Sequence, residues 1–150
     1  MIDIYKIYDF INENKGKNIY VDEVLYWYLE RLCDKGQIIV IEENGGIKAI
    51  AAYFLCREQD LQYVESWNWS LFLNYSEGDI MYVSLVVSKG FIYTRKIYKA
   101  LVEISKALNV FKAYTVLLGQ LKVLVEIDRC TNKLIFKRRI LCLENPIAVH

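Results

Sequence analysis

Ile4, Ile7, Tyr8 and Ile11 recur at intervals of three and four within IDIYKIYDFINEN (2–14), so the chain opens with an amphipathic helix. Gly16-Lys17-Asn18 breaks that pattern. It resumes from about Asp22, a suitable N-cap, with Val24, Leu25, Tyr28, Leu29 and Leu32 as the buried stripe. Gly36 stands just past the end, where a left-handed residue is wanted. The pattern then changes. QIIVIEE (37–43) and IKAIAAYFLCR (47–57) predict two strands, and Asn44-Gly45-Gly46 between them is a strong hairpin signal.

The stretch 58–78 carries Trp67 and Trp69 and reads as a short helix followed by a loop. Ser76-Glu77-Gly78-Asp79 is a turn leading into the apolar run IMYVSLVVS. After a break at Gly90, helical spacing returns from about Thr94 to Asn109, through Ile97, Ala100, Leu101, Ile104 and Leu108. FKAYTVLL (111–118) is β-rich. QLKVLVEIDRCTNKL (120–134) reads two ways, as strand in its early part or as helix ending before Ile135, and the helix is preferred. IFKRRILCLE (135–144) predicts a last strand. Interleaved helices and strands with an early hairpin imply an α/β or α+β layered domain, a single unit over 1–150. The segment 79–118 is long enough for one right-handed parallel crossover.

Composition narrows the chemistry. Of 150 residues, 55% are hydrophobic and 25% charged, so a folded core is expected. A formal net charge of +1 predicts no strong pull toward nucleic acid or anionic lipid. Asp3 and Asp9 stand where a secretory signal needs a basic start and an apolar run. The charge-free run AIAAYFLC is far short of the roughly 20 residues that span a bilayer. A soluble cytoplasmic protein is the expectation. Cys33, Cys56, Cys130 and Cys142 are scattered singly, which suggests reduced thiols rather than a zinc knuckle or redox pair. The one histidine is His150, so histidine-based nucleophilic catalysis and multi-histidine metal sites have no residues to build on.

Three segments in order resemble the GNAT acyltransferase superfamily. IIVIEENGGIKAIAAYFL is similar to that family's hairpin before the central strand, and IMYVSLVVSKGFIYTRKIYKALVEISKAL to its central strand, cofactor loop and helix. NKLIFKRR (132–139) is similar to its last helix end and strand. The resemblance implies a mixed, mostly antiparallel sheet of about six strands, with a central parallel pair splayed apart and about four flanking helices. It implies acyl-CoA, acetyl-CoA among them, as the cofactor and an amine as the acceptor. The pantetheine would lie along Leu85, Val86 and Val87, like a strand added to a sheet edge. The diphosphate would meet the turn from Ser88 to Arg95, with Gly90, Thr94, Arg95 and Lys96 as its contacts. The family's loop carries further glycines where this chain has Phe91, Ile92 and Tyr93. Its acidic tyrosine falls on Thr131 and its following glycine on Ile135. Met81 stands where a glutamate would act as base, leaving Asp79 as the candidate, with Glu77 beside it.

Tyr26, Trp27 and Tyr28 are consecutive and cannot all face one core, so part of that aromatic area is exposed or lies under a loop. Trp67 and Trp69 are the candidates for lining a substrate cleft. Lys137, Arg138 and Arg139 are too short a run for nucleic-acid binding and suit a protected edge strand. Two functions are therefore carried forward: an acyl-CoA N-acyltransferase, and a non-catalytic GNAT-like module of bacterial or phage origin acting through a protein partner. A homodimer fits either.

Overall fold

Asp3 accepts hydrogen bonds from the amides of Tyr5 (3.0 Å) and Lys6 (3.4 Å), and so caps the first helix where the apolar stripe begins. The computed structural model describes residues 3–15, 23–61, 77–117 and 120–138. Helix α1 (Ile4–Asn14) buries Ile7, Phe10 and Ile11, and α2 (Glu23–Asp34) buries Tyr28, Leu29 and Leu32. Asp22, read as the second cap, lies outside the described residues. Of the aromatic trio, Tyr28 is buried and Trp27 is exposed. Gly36 adopts φ 69° after the helix, as its place requires.

Strands β1 (Ile38–Glu43) and β2 (Gly46–Cys56) form the expected hairpin. Its tip uses φ 55° at Asn44 and φ 78° at Gly45, the pair of left-handed residues that matches strand twist. Of the stretch 58–78 the described residues are a 3-10 turn at Glu58–Leu61 and Glu77-Gly78; Trp67 and Trp69 lie outside them. Then come β3 (Ile80–Ser88), α3 (Phe91–Ala107), β4 (Lys112–Leu117), β5 (Gln120–Ile127) and β6 (Leu134–Lys137). The sheet order is β1-β2-β3-β4-β5-β6, antiparallel at every step except the parallel pair β3–β4, which α3 connects.

Three layers result. Ile80, Tyr82, Leu85 and Val87 of β3 join α1 and α2 in one core; Met81, Val83 and Val86 join α3 in the other. No helix among the described residues is long and apolar enough to cross a membrane.

Two expectations are corrected. The preferred helix over 120–134 is β5 followed by a turn; three α-helices stand among the described residues. Val123, Val125 and Ile127 favour a pleated half-buried surface. The Asp128 carboxylate accepts from the amides of Cys130 (2.8 Å) and Thr131 (2.9 Å), and Asn132 takes φ 58°, which closes a turn rather than a helix. Those amides hold the Asp128 carboxyl below its ordinary value. Secondly, α3 begins at Phe91, not Thr94: Phe91 and Ile92 ride exposed on its first turn, so the buried stripe starts later than the helix.

Candidate functional site

The chemistry-bearing region forms where β3 loses a neighbour. The parallel ladder registers Ile80 with Lys112, Met81 with Ala113 and Tyr82 with Tyr114, and no later pair. On its other edge β3 stays paired with β2 as far as Ser88, and the Lys89 amide donates to the Lys48 carbonyl at 2.9 Å. Antiparallel alternation then assigns Leu85 and Val87 to bonds with Ala52 and Ile50. The main-chain groups of Val86 and Ser88 face the other way. Among the described residues they have no strand beside them. Of the three positions read as lining a pantetheine, only Val86 therefore turns its main chain to the unpaired edge; the side chains of Leu85, Val86 and Val87 are all buried.

Hydroxyl groups mark the branch point. Ser84 is the extra residue of a β-bulge, since Ala52 faces Leu85 while Tyr53 faces Val83. Its Oγ donates to the Ala52 carbonyl (3.3 Å) and shares a short hydrogen bond with the Tyr28 hydroxyl. Burial drives the Tyr28 phenol far above its ordinary pKa, so it stays neutral. Thr115 of β4 donates its hydroxyl to the Val83 carbonyl at 2.8 Å.

Just beyond, Ser88 and Gly90 form a tight link into α3: the Gly90 amide donates to Ser88 Oγ (3.2 Å), which in turn donates to the Gly90 carbonyl (2.8 Å). A Cβ at Gly90 would meet nothing within 4 Å, so no side chain of the described residues fills the space immediately around it. The Thr94 amide makes the first helical bond, to the Gly90 carbonyl at 3.1 Å, and among the described residues no side chain caps the end. By helix geometry the amides of Phe91, Ile92 and Tyr93 have no intrahelical acceptor. Thr94, read as a hydroxyl for an anion, is buried and donates instead to the Gly90 carbonyl (3.2 Å). Lys96 is ion-paired with Glu43 of β1 at 2.9 Å, and Tyr93 donates to the same carboxylate at 3.4 Å. Both hold the Glu43 carboxyl below its usual value, Lys96 foremost. Arg95 is exposed, with its guanidinium 5.6 Å from the Phe91 ring centre.

Alongside the first turns of α3 a cavity of about 770 Å³ reaches to β6. Phe91, Tyr98, Val102 and Leu134 give it apolar walls; Arg95, Lys96, Lys99, Lys137 and Arg138 surround it with positive charge, against Glu103. The Tyr98 hydroxyl is buried there without a hydrogen-bond partner among the described residues. Burial raises its pKa, with Arg138 pulling weakly the other way.

The remaining candidates are not brought to this place. Asp79 is half exposed, paired with Arg129, and stands just before the end of β3 opposite Ser88, roughly 30 Å of extended chain away at about 3.3 Å per residue. Thr131 is in the β5–β6 turn and Ile135 on the exposed strand β6, so neither occupies a helix end. Trp67 and Trp69 lie outside the described residues. Sequence reasoning missed Tyr28, Ser84, Thr115, Tyr98 and Arg138. The signal for two of them was legible: Ser84 and Thr115 are lone hydroxyls inside the otherwise apolar runs IMYVSLVV and AYTVL. Among the described residues no three His, Cys, Asp or Glu side chains gather as metal ligands. Comparison with protein-family models, curated proteins and solved structures finds no match to this chain.

Proposed function

We propose that the chain is an acyl-CoA-dependent N-acyltransferase, moving an acetyl or longer acyl group onto an amine of a small molecule or protein. One observation carries the reading: among the described residues β3 has no registered β4 partner after Tyr82 and then runs into a helix whose N-terminus no side chain caps. A pantetheine arm bears two amides, and strand-like addition along Val86 and Ser88 gives them partners. The diphosphate then falls at the amides of Phe91, Ile92 and Tyr93, where the helix dipole also favours negative charge. Arg95 and the cations around the neighbouring cavity draw the anionic cofactor in.

The reaction is direct acyl transfer. The amine nitrogen attacks the thioester carbonyl carbon, a C–N bond forms, the C–S bond breaks, and the proton released by the amine is balanced by protonation of the departing thiolate. Asp79, ion-paired at the far end of β3, does not serve as base in this scheme. Water accepts the amine proton. Isothermal calorimetry and thermal unfolding with acetyl-CoA test the proposal. At ligand near 100 times Kd the protein gains about 2.7 kcal/mol, and Tm rises accordingly. An unchanged Tm at millimolar acetyl-CoA overturns it.

A second reading, a non-catalytic module acting through a protein partner, draws on Leu134, Ile135 and Phe136, large apolar residues each exposed on β6 among the described residues. It predicts that alanine at all three positions abolishes partner capture while leaving acetyl-CoA titrations flat before and after.

A further inference from the structure

We infer that three buried hydroxyls, led by that of Thr115, act as a wedge that stops β3 and β4 from pairing past Tyr82. Thr115 is a positioning residue in this account. The wedge is a property of the fold; only its effect on acyl-CoA affinity rests on the acyltransferase reading.

The argument begins with what a parallel pair does by default. Its main-chain bonds repeat evenly along both strands, and each strand end still in reach adds another. Here the registered pairs end at Tyr82–Tyr114, although β3 runs on to Ser88 and β4 to Leu117. The next β3 carbonyl, that of Val83, is not left bare. It accepts from the Thr115 side chain at 2.8 Å. A side-chain donor inserted between two main chains holds them wider than the ordinary spacing of about 4.8 Å.

The opposite edge is fixed as well. Ser84 is held by the Ala52 carbonyl of β2 and by Tyr28 of α2, so the bulge is tied to the neighbouring strand and to the layer above. β3 therefore cannot relax toward β4 without breaking buried bonds. Thr115, Ser84 and Tyr28 are each at most 1% exposed, so each hydroxyl that lost its partner would incur a desolvation cost. A central strand ordinarily fills such positions with Val or Ile. Polar groups at the one place where the sheet parts have a reason if the parting must be maintained.

Thr115→Val keeps the shape and removes the donor; Thr115→Ser keeps the donor. Amide hydrogen exchange followed by NMR reads the wedge directly. In the valine variant β4 extends its pairing, and protection of the Val86 amide rises by about tenfold, the worth of one hydrogen bond. Acetyl-CoA affinity falls by about the same factor. The serine variant matches the parent in both. Tyr28→Phe, which retains the ring packed on Phe54, moves exchange in the same direction and serves if the valine variant fails to fold. Unchanged exchange in the folded variants overturns the wedge. Failure of the parent protein to bind acetyl-CoA removes the acyltransferase reading instead, and the exchange comparison still decides the wedge.

Discussion

A methyl group on residue 78 would sit 2.0 Å from the Cys56 carbonyl oxygen, and the backbone there has φ 145°. Main chain cannot swing aside as a lysine tip would, so the turn that launches β3 is open to glycine alone. Gly78→Ala is expected to cost more than about 2 kcal/mol, lowering the denaturation midpoint without changing the slope. Gly46→Ala, where a Cβ meets nothing within 4 Å, is the matched comparison and should fall within about 1 kcal/mol of the parent. Equal midpoints for the two variants would contradict this account. Cys56 belongs to the same contact. Burial pushes its thiol up to about 12, with the carboxylates of Asp60 and Asp79 acting in the same direction, so it is a packing residue rather than a nucleophile.

Between elements, the Glu43–Lys96 pair ties β1 to the first turns of α3, and its pH behaviour has a definite sign. The Glu43 carboxyl is held below its ordinary value in the folded protein. The tie is therefore intact at neutral pH and is lost as pH falls through that depressed value, below the range in which a free glutamate titrates. Carboxyl chemical shifts during acid titration check it: Lys96→Met should return Glu43 toward its ordinary midpoint, and no movement would mean the pair is not formed in solution. The elements themselves differ in how plainly the chain announces them. The β1–β2 hairpin was legible because Asn44-Gly45 demands one turn type, and α1 because its stripe and its Asp3 cap coincide. β5 was not. Its apolar spacing suits either period, and the deciding signal was the turn at Asp128, where side chain and backbone close on each other locally. Ser84 and Thr115 act through partners 56 and 32 residues away, which no local pattern records.

The molecule as a whole is two antiparallel meanders, β1-β2-β3 and β4-β5-β6, meeting along one parallel seam with α3 laid across them. Such a seam predicts uneven stability. Native-state exchange at rising denaturant should show β4–β6 opening before β1–β3; a single common midpoint would argue that α3 welds them into one cooperative unit. The chain crosses from one meander to the other through the left-handed Asn109. Divided at that point and expressed as two polypeptides, the halves would have to find each other again through three rungs, one flank of α3, the Asp79–Arg129 pair and the packing of Phe111, Tyr114 and Val116 on the other core. How tightly they reassociate would then express the strength of the join as a dissociation constant.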